Sequence, residues 1–213
     1  MDYPATIAEP VVHELDVKRS RFLTYLQPVG SVVEADQFIA IVRKRHWDAN
    51  HNCTAMITGV LGDQARSSDD GEPSGTAGVP MMEVLKRRGL TDIVAVVTRY
   101  FGGVKLGAGG LVRAYGGAVS EALDHATIVY RRALTRVTLD VPHADAGRFD
   151  NHLREWASRG GATLGETTYA QSATLEAWVP ETELVRLRDD VAAWSQGTVT
   201  PLVGEVRVVD VID

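Results

Sequence analysis

The second half of the chain carries the clearest alternation of apolar and polar side chains. From Leu134 to Val141, Val137, Leu139 and Val141 fall on one side and Leu134, Arg136 and Thr138 on the other. A period of two predicts a strand, and Pro142 ends it. Over residues 144–158, Phe149, Leu153 and Trp156 recur at helical spacing, predicting an amphipathic helix closed by Gly160 and Gly161. Two β-rich runs, 162–170 and 172–179, predict a hairpin. Pro180 precedes a second helix, 181–195, with Leu184, Leu187, Val191 and Trp194 apolar. A last strand over about 205–212 alternates Val206, Val208 and Val209 with charges. The order βαββαβ is that of a ferredoxin-like domain.

The first half is less regular. Residues 11–17 and 20–28 predict a strand pair. Ser31 caps a helix of about 31–47, with Val33, Phe38, Ile41 and Val42 expected on its buried face. Cys53 to Leu61 reads as a strand that 64–68 can join. A polar loop from Ser67 to Gly78 leads into a helix of about 79–88. Ile93 to Tyr100 is continuously apolar, as expected of a strand buried on both faces. A glycine-rich loop over 101–110 follows, then a helix over 109–124 and a short strand near 126–132. The boundary is expected at 131–133, dividing an α+β chain into domains 1–132 and 133–213.

Composition narrows the class. Apolar residues make up 45% and charged residues 23% of 213, ordinary values for folded domains. The single cysteine, Cys53, has no internal disulfide partner. The polar start, Met1-Asp2-Tyr3-Pro4, is unlike a secretory leader, and no apolar run is long enough to span a bilayer; a cytoplasmic location is expected. The net charge of −6 is uneven: residues 1–132 hold 15 Lys+Arg against 15 Asp+Glu, and residues 133–213 hold 7 against 13. Only the first domain is therefore a candidate for a phosphate-binding surface.

Two segments depart from scaffold composition. Between Ser67 and Gly78, Asp69, Asp70 and Glu72 stand beside Ser74 and Thr76. One reading is a capped turn, with Ser74 or Thr76 as N-cap. Three neighbouring carboxylates repel one another, however, so a cation, a basic partner or an internal arginine is the expected counter-charge. The second segment runs from Arg99 and Tyr100 through Gly102, Gly103, Lys105, Gly107, Gly109 and Gly110 to Arg113 and Tyr115. A strand end, a glycine-rich loop and a helix start allow bare amides to approach an anion. Lys105 and Arg113 add charge, and Tyr100, Phe101 and Tyr115 offer faces for stacking on bases. The competing reading is tight packing of the helix on the sheet. The segment is neither a Walker A loop nor a dinucleotide fingerprint, and no cofactor motif is found.

Smaller features are weaker. His51-Asn52-Cys53 reads as a nucleophile or a metal ligand, or Cys53 as a buried small residue, and His51 with Asp69, Asp70 and Glu72 as a cation site, although no metal-ligand spacing supports it. Lys18-Arg19-Ser20-Arg21 is a solvated strand edge or an extension of a basic patch. Lys86-Arg87-Arg88 complements a helix C-terminus.

Lys18 to Phe22, His51 to Cys53, Ser68 to Gly78 and Thr98 to Tyr115 together resemble the YigZ/IMPACT family (uncharacterised protein family 0029) over about residues 10–125, and the tail is similar to the second domain of bacterial members. Ala55 and Met56 depart from a more aromatic pattern. The resemblance implies a first domain folded like the second domain of a small-subunit ribosomal protein, and a tail like the last domain of translocating elongation factors. Eukaryotic relatives act in translational control by binding the activator of the general-control kinase, through a chain that carries a further adaptor domain, so that partner does not transfer. The leading expectation is a non-enzymatic regulator of translation or the stress response that binds RNA or a ribosome-associated protein through the glycine-rich, basic surface. The rivals are an enzyme acting on a phosphorylated or nucleotide-like small molecule, with Asp69, Asp70 or Glu72 as base or cation ligand, and a protein–protein adaptor.

Overall fold

The computed structural model describes residues 3–211. The chain divides into two compact units, one ending at Tyr130 and the other spanning Arg131–Val211. Among the described residues no helix is long and apolar enough to cross a membrane.

The first unit contains β1 (Tyr3–Ile7), β2 (Val11–Val17), β3 (Ser20–Pro28), α1 (Val32–Arg45), β4 (His51–Thr58), β5 (Gln64–Ser68), α2 (Gly78–Arg87), β6 (Ile93–Tyr100) and α3 (Ala108–Asp124). Five strands form an antiparallel sheet in the order β2–β3–β6–β4–β5. β1 precedes every strand expected from periodicity, and Ala5 exchanges backbone bonds with Gly89 and Thr91.

Both sheet faces are covered, which is why β6 has no polar stripe. Ile93, Ala95 and Val97 pack with Phe22, Leu26, Cys53, Ala55 and Ile57 against α2 and α3. Val94 and Val96 pack with Tyr25, Val29 and Met56 against α1. Strand alternation then decides the ends: Arg99 follows the odd positions toward α3, whereas Tyr100 follows the even ones toward α1. Ser31 caps α1 as expected, its hydroxyl accepting from the Glu34 amide at 3.2 Å. The buried face is corrected, however. Ala35, Ile39 and Val42 point inward, Phe38 is partly buried, and Val33 and Ile41 are exposed. The turn geometry keeps 35, 39 and 42 on one stripe, and 33 and 41 lie off it.

In the second unit, β7 (Ile128–Val141) is one strand where two were expected; it runs through the boundary without a break. α4 (Ala146–Gly160), β8 (Thr163–Leu164), β9 (Thr168–Tyr169), β10 (Ala173–Pro180), α5 (Leu184–Ser195) and β11 (Leu202–Val211) follow. The expected 162–170 strand is two short pieces, each pairing with β10. β10 pairs with β7, and β11 pairs with β7 on its other edge. Phe149, Leu153 and Trp156 of α4 and Leu187 and Val191 of α5 close over Val137, Leu139, Leu175 and Val179. Residue 212 of the expected last strand lies outside the described residues.

Candidate functional site

The acidic loop does not present its carboxylates together. Asp69 turns back on the start of α2, where its two oxygens accept from the amides of Gly75 (2.8 Å), Ala77 (3.0 Å) and Gly78 (2.8 Å). Burial alone would raise its pKa, but these three bonds outweigh it and hold the carboxyl below its ordinary range. This carboxylate does the work expected of Ser74 or Thr76. The residue before the helix is Ala77, which has no side-chain cap; Ser74 is exposed, and the Thr76 hydroxyl donates instead to the Pro73 carbonyl at 2.6 Å.

Asp70 is held by the Asn52 amide at 2.7 Å and by Arg43 at 3.0 Å. Glu72, 8% exposed, accepts from Arg99 Nη1 at 2.6 Å and from the Tyr115 hydroxyl at 2.7 Å on the same oxygen. An internal arginine is thus the counter-charge. The three acids face three different partners, so they do not form the cation site considered with His51. Among the described residues no group of three or more His, Cys, Asp or Glu could hold a metal ion.

The glycine-rich segment divides likewise. Tyr115 is fully buried, edge-on to Phe22, and offers no stacking face. Tyr100 lies on the α1 side, where its hydroxyl donates to Asp48 at 3.1 Å. That leaves it to accept from His46 Nδ1 at 2.9 Å, while the Tyr25 hydroxyl donates to Nε2 at 2.6 Å. This chain of contacts sits on the opposite side of the sheet from the glycine loop and was missed in the sequence. Arg99 is 5% exposed, so it is a buried group and not a surface cation. Its Nη2 reaches Ser20 at 3.4 Å, its Cζ lies 5.5 Å from the Phe22 and Phe101 ring centres, and its Nε has no partner among the described residues.

What the fold does bring together is a pocket of about 380 Å³ between the two segments, bordered by His51, Glu72, Arg99, Phe101, Lys105 and the Gly107–Ala108 start of α3. His51 and Arg99 are cross-strand partners, which places both on the α3 side. His51 Nδ1 donates to the Asp70 carbonyl at 2.9 Å, since a carbonyl only accepts, and Nε2 lies 3.8 Å from Glu72. Phe101 is 45% exposed and is the aromatic available for stacking. α3 begins at Gly107 without a side-chain cap. Gly109 and Gly110 do not serve close packing on the sheet: a Cβ on Gly109 would approach only Arg113 Nη1, at 3.7 Å, and one on Gly110 only Leu106. Gly102 is different, because a Cβ there would fall on the Arg19 carbonyl of the β2–β3 turn. That close approach sets exposed Lys18 and Arg19 beside the glycine loop. Exposed Lys105 and Arg113 flank the α3 start, Arg113 lining the adjacent groove between α2 and α3. Gly103 is open to solvent at φ +85°. Cys53 is buried, its thiol pushed up to about 12 chiefly by burial, which removes it as a nucleophile.

Comparison with known proteins places these residues in a family. The Impact N-terminal domain model matches residues 18–123, a span containing every residue of the pocket. The chain is 46% identical over 178 residues to IMPACT family member YvyE of Bacillus subtilis (strain 168), covering 84% of this chain and 80% of that protein. It is 47% identical over 134 residues to IMPACT family member YigZ of Escherichia coli (strain K12), covering 62% and 66%. A crystal structure described as that of a hypothetical protein aligns with TM-score 0.60 at 35% identity, over 96% of this chain and 98% of the other.

Proposed function

The chain belongs to the IMPACT family, and from that premise we propose that it is a regulator of translation or the stress response that binds RNA through the first unit. One observation carries the reading: the uncapped start of α3 opens on a pocket with Lys105 at its edge and Phe101 exposed beside it. Amides and ammonium groups suit phosphate, and an exposed ring suits an unpaired base. Lys18, Arg19 and Arg113 extend the positive rim. In the same reading the first unit is of the type found as the second domain of a small-subunit ribosomal protein. The second unit is ferredoxin-like, a reading supported by its strand order β11–β7–β10–β8, and similar to the last domain of translocating elongation factors.

The test is the salt dependence of single-stranded RNA binding. Lys105→Ala/Arg113→Ala removes two phosphate contacts, so affinity falls and the slope of log K against log salt drops by about 1.4. Unchanged affinity in the double variant refutes the reading.

A second reading, an enzyme acting on a phosphorylated small molecule, is favoured by the pocket's concavity and by His51. With Nδ1 fixed on a carbonyl, its Nε2 faces Glu72 and the pocket, a better-placed base than Asp69 or Asp70. Turnover of such a compound, abolished in His51→Asn, would establish it.

A further inference from the structure

We propose that the pocket at the start of α3 binds nucleotides by their terminal phosphomonoester, with the phosphate on the α3 amides and the base against Phe101. The proposal rests on the RNA-binding reading and narrows it to the chemical group recognised.

Three features select that group. The first is the set of donors. The Leu111 amide bonds to the Gly107 carbonyl, so the amides of Ala108, Gly109 and Gly110 precede the first intrahelical bond. A Cβ on Gly107 would meet no atom within 4 Å, which leaves the approach to these amides open. The second is Arg99. It is more than nine-tenths buried, it lines this pocket, and its Nε has no acceptor among the described residues. A buried donor left unpaired is costly, and a small shift of the exposed Phe101 ring, which lies against the guanidinium, would let a ligand oxygen supply the acceptor. The third is charge. Arg99 and Glu72 cancel, leaving Lys105 and the positive helix end, together about +1.5. A phosphomonoester carries about −1.5 to −2, whereas an internal phosphodiester or a carboxylate carries only −1. The volume of about 380 Å³ admits one nucleotide, and Leu106, Leu111 and Pro73 border it with apolar surface.

A free mononucleotide and a phosphorylated RNA end share this chemistry, and the experiment separates them. The full chain is titrated with an internally labelled octaribonucleotide bearing a phosphate at its 5′ end, its 3′ end or neither, followed by fluorescence anisotropy. AMP and adenosine are compared by calorimetry. A terminal phosphate is expected to tighten binding about tenfold, and AMP to bind where adenosine does not. Ala108→Asp places a carboxylate on the exposed first turn of α3, where it favours the helix but repels phosphate. It is expected to erase the phosphate increment without lowering the melting temperature, and Lys105→Ala to reduce the increment in part.

Equal binding of all three RNAs, with AMP no better than adenosine, overturns the phosphate pocket and leaves the RNA reading standing. A phosphate increment that survives Ala108→Asp also overturns it, because the phosphate then lies elsewhere. Binding of AMP without binding of any RNA upholds the pocket and refutes the RNA reading, and binding of none refutes both.

Discussion

Glu72 sits where binding surface and fold stability meet, so Glu72→Ala tests the reasoning most directly. The carboxylate is 8% exposed and Arg99 5%, so solvent does little to screen the pair. Removing Glu72 leaves the guanidinium, among the described residues, with the Ser20 hydroxyl at 3.4 Å and two ring faces but no counter-charge, an uncompensated buried charge worth about 3–5 kcal/mol. The buried Tyr115 hydroxyl loses its acceptor at the same time, a cost of about 1–3 kcal/mol. Both bonds end on the same oxygen, so the losses overlap and the expected total is about 4–6 kcal/mol. That is a large part of the 5–15 kcal/mol that holds an ordinary domain together, roughly. Glu72→Gln keeps an acceptor and should lose only about 1.5–3 kcal/mol, and Tyr115→Phe about 1 kcal/mol. Replacing both Glu72 and Arg99 with leucine should recover much of the loss, since no charge is then stranded. Urea unfolding followed by far-UV circular dichroism measures all four. A Glu72→Ala protein within about 1 kcal/mol of the parent would mean that Arg99 is not held in a low-dielectric interior, and the charge argument for the pocket would fall with it.

Asp69→Asn should cost about 1 kcal/mol at pH 7 through loss of its charge at the α2 start. Because the folded pKa lies below the ordinary 3.8, that contribution is present above 3.8 and fades as pH falls toward the folded value. Urea midpoints of parent and variant should therefore converge in acid; a constant gap would contradict the assignment. Cys53, at about 12, is thiolate in roughly one molecule in ten thousand at pH 8, so a thiol reagent should label it only on unfolding. Stoichiometric labelling of the native protein within minutes would show the site to be open. Gly102→Ala should lower stability by about 1–3 kcal/mol by forcing the β2–β3 turn away from the glycine loop. An unchanged melting temperature would show that the turn yields freely.

Much of the scaffold was legible because it depends on neighbours along the chain. The two-residue period of Val137, Leu139 and Val141, the helical spacing of Phe149, Leu153 and Trp156, and the Ser31 cap all reappear at or near their expected positions. Where the structure departs from the sequence pattern, the causes are local too. Hydrophobicity alone puts Val33 and Ile41 inward where angular position decides, and the boundary expected at 131–133 divides what is one strand, β7. The strand parity of β6 could have separated Arg99 from Tyr100, but a strand apolar on both faces hides its own alternation until one partner residue is known.

The sequence alone determined which residues are unusual: an acid-rich loop, a glycine-rich loop leading into a helix, and a family signature spanning them. Tertiary structure decided which of those residues remain available for a ligand. Asp69 was drawn to α2, Asp70 to Arg43, and Glu72 to Arg99 and Tyr115, while Lys105 and the α3 amides border the pocket. The physical reason is that a charge is neutralised by whatever lies near it in space. Arg99 stands 27 positions from Glu72 in the chain, and only the sheet register sets it beside His51 and over that carboxylate.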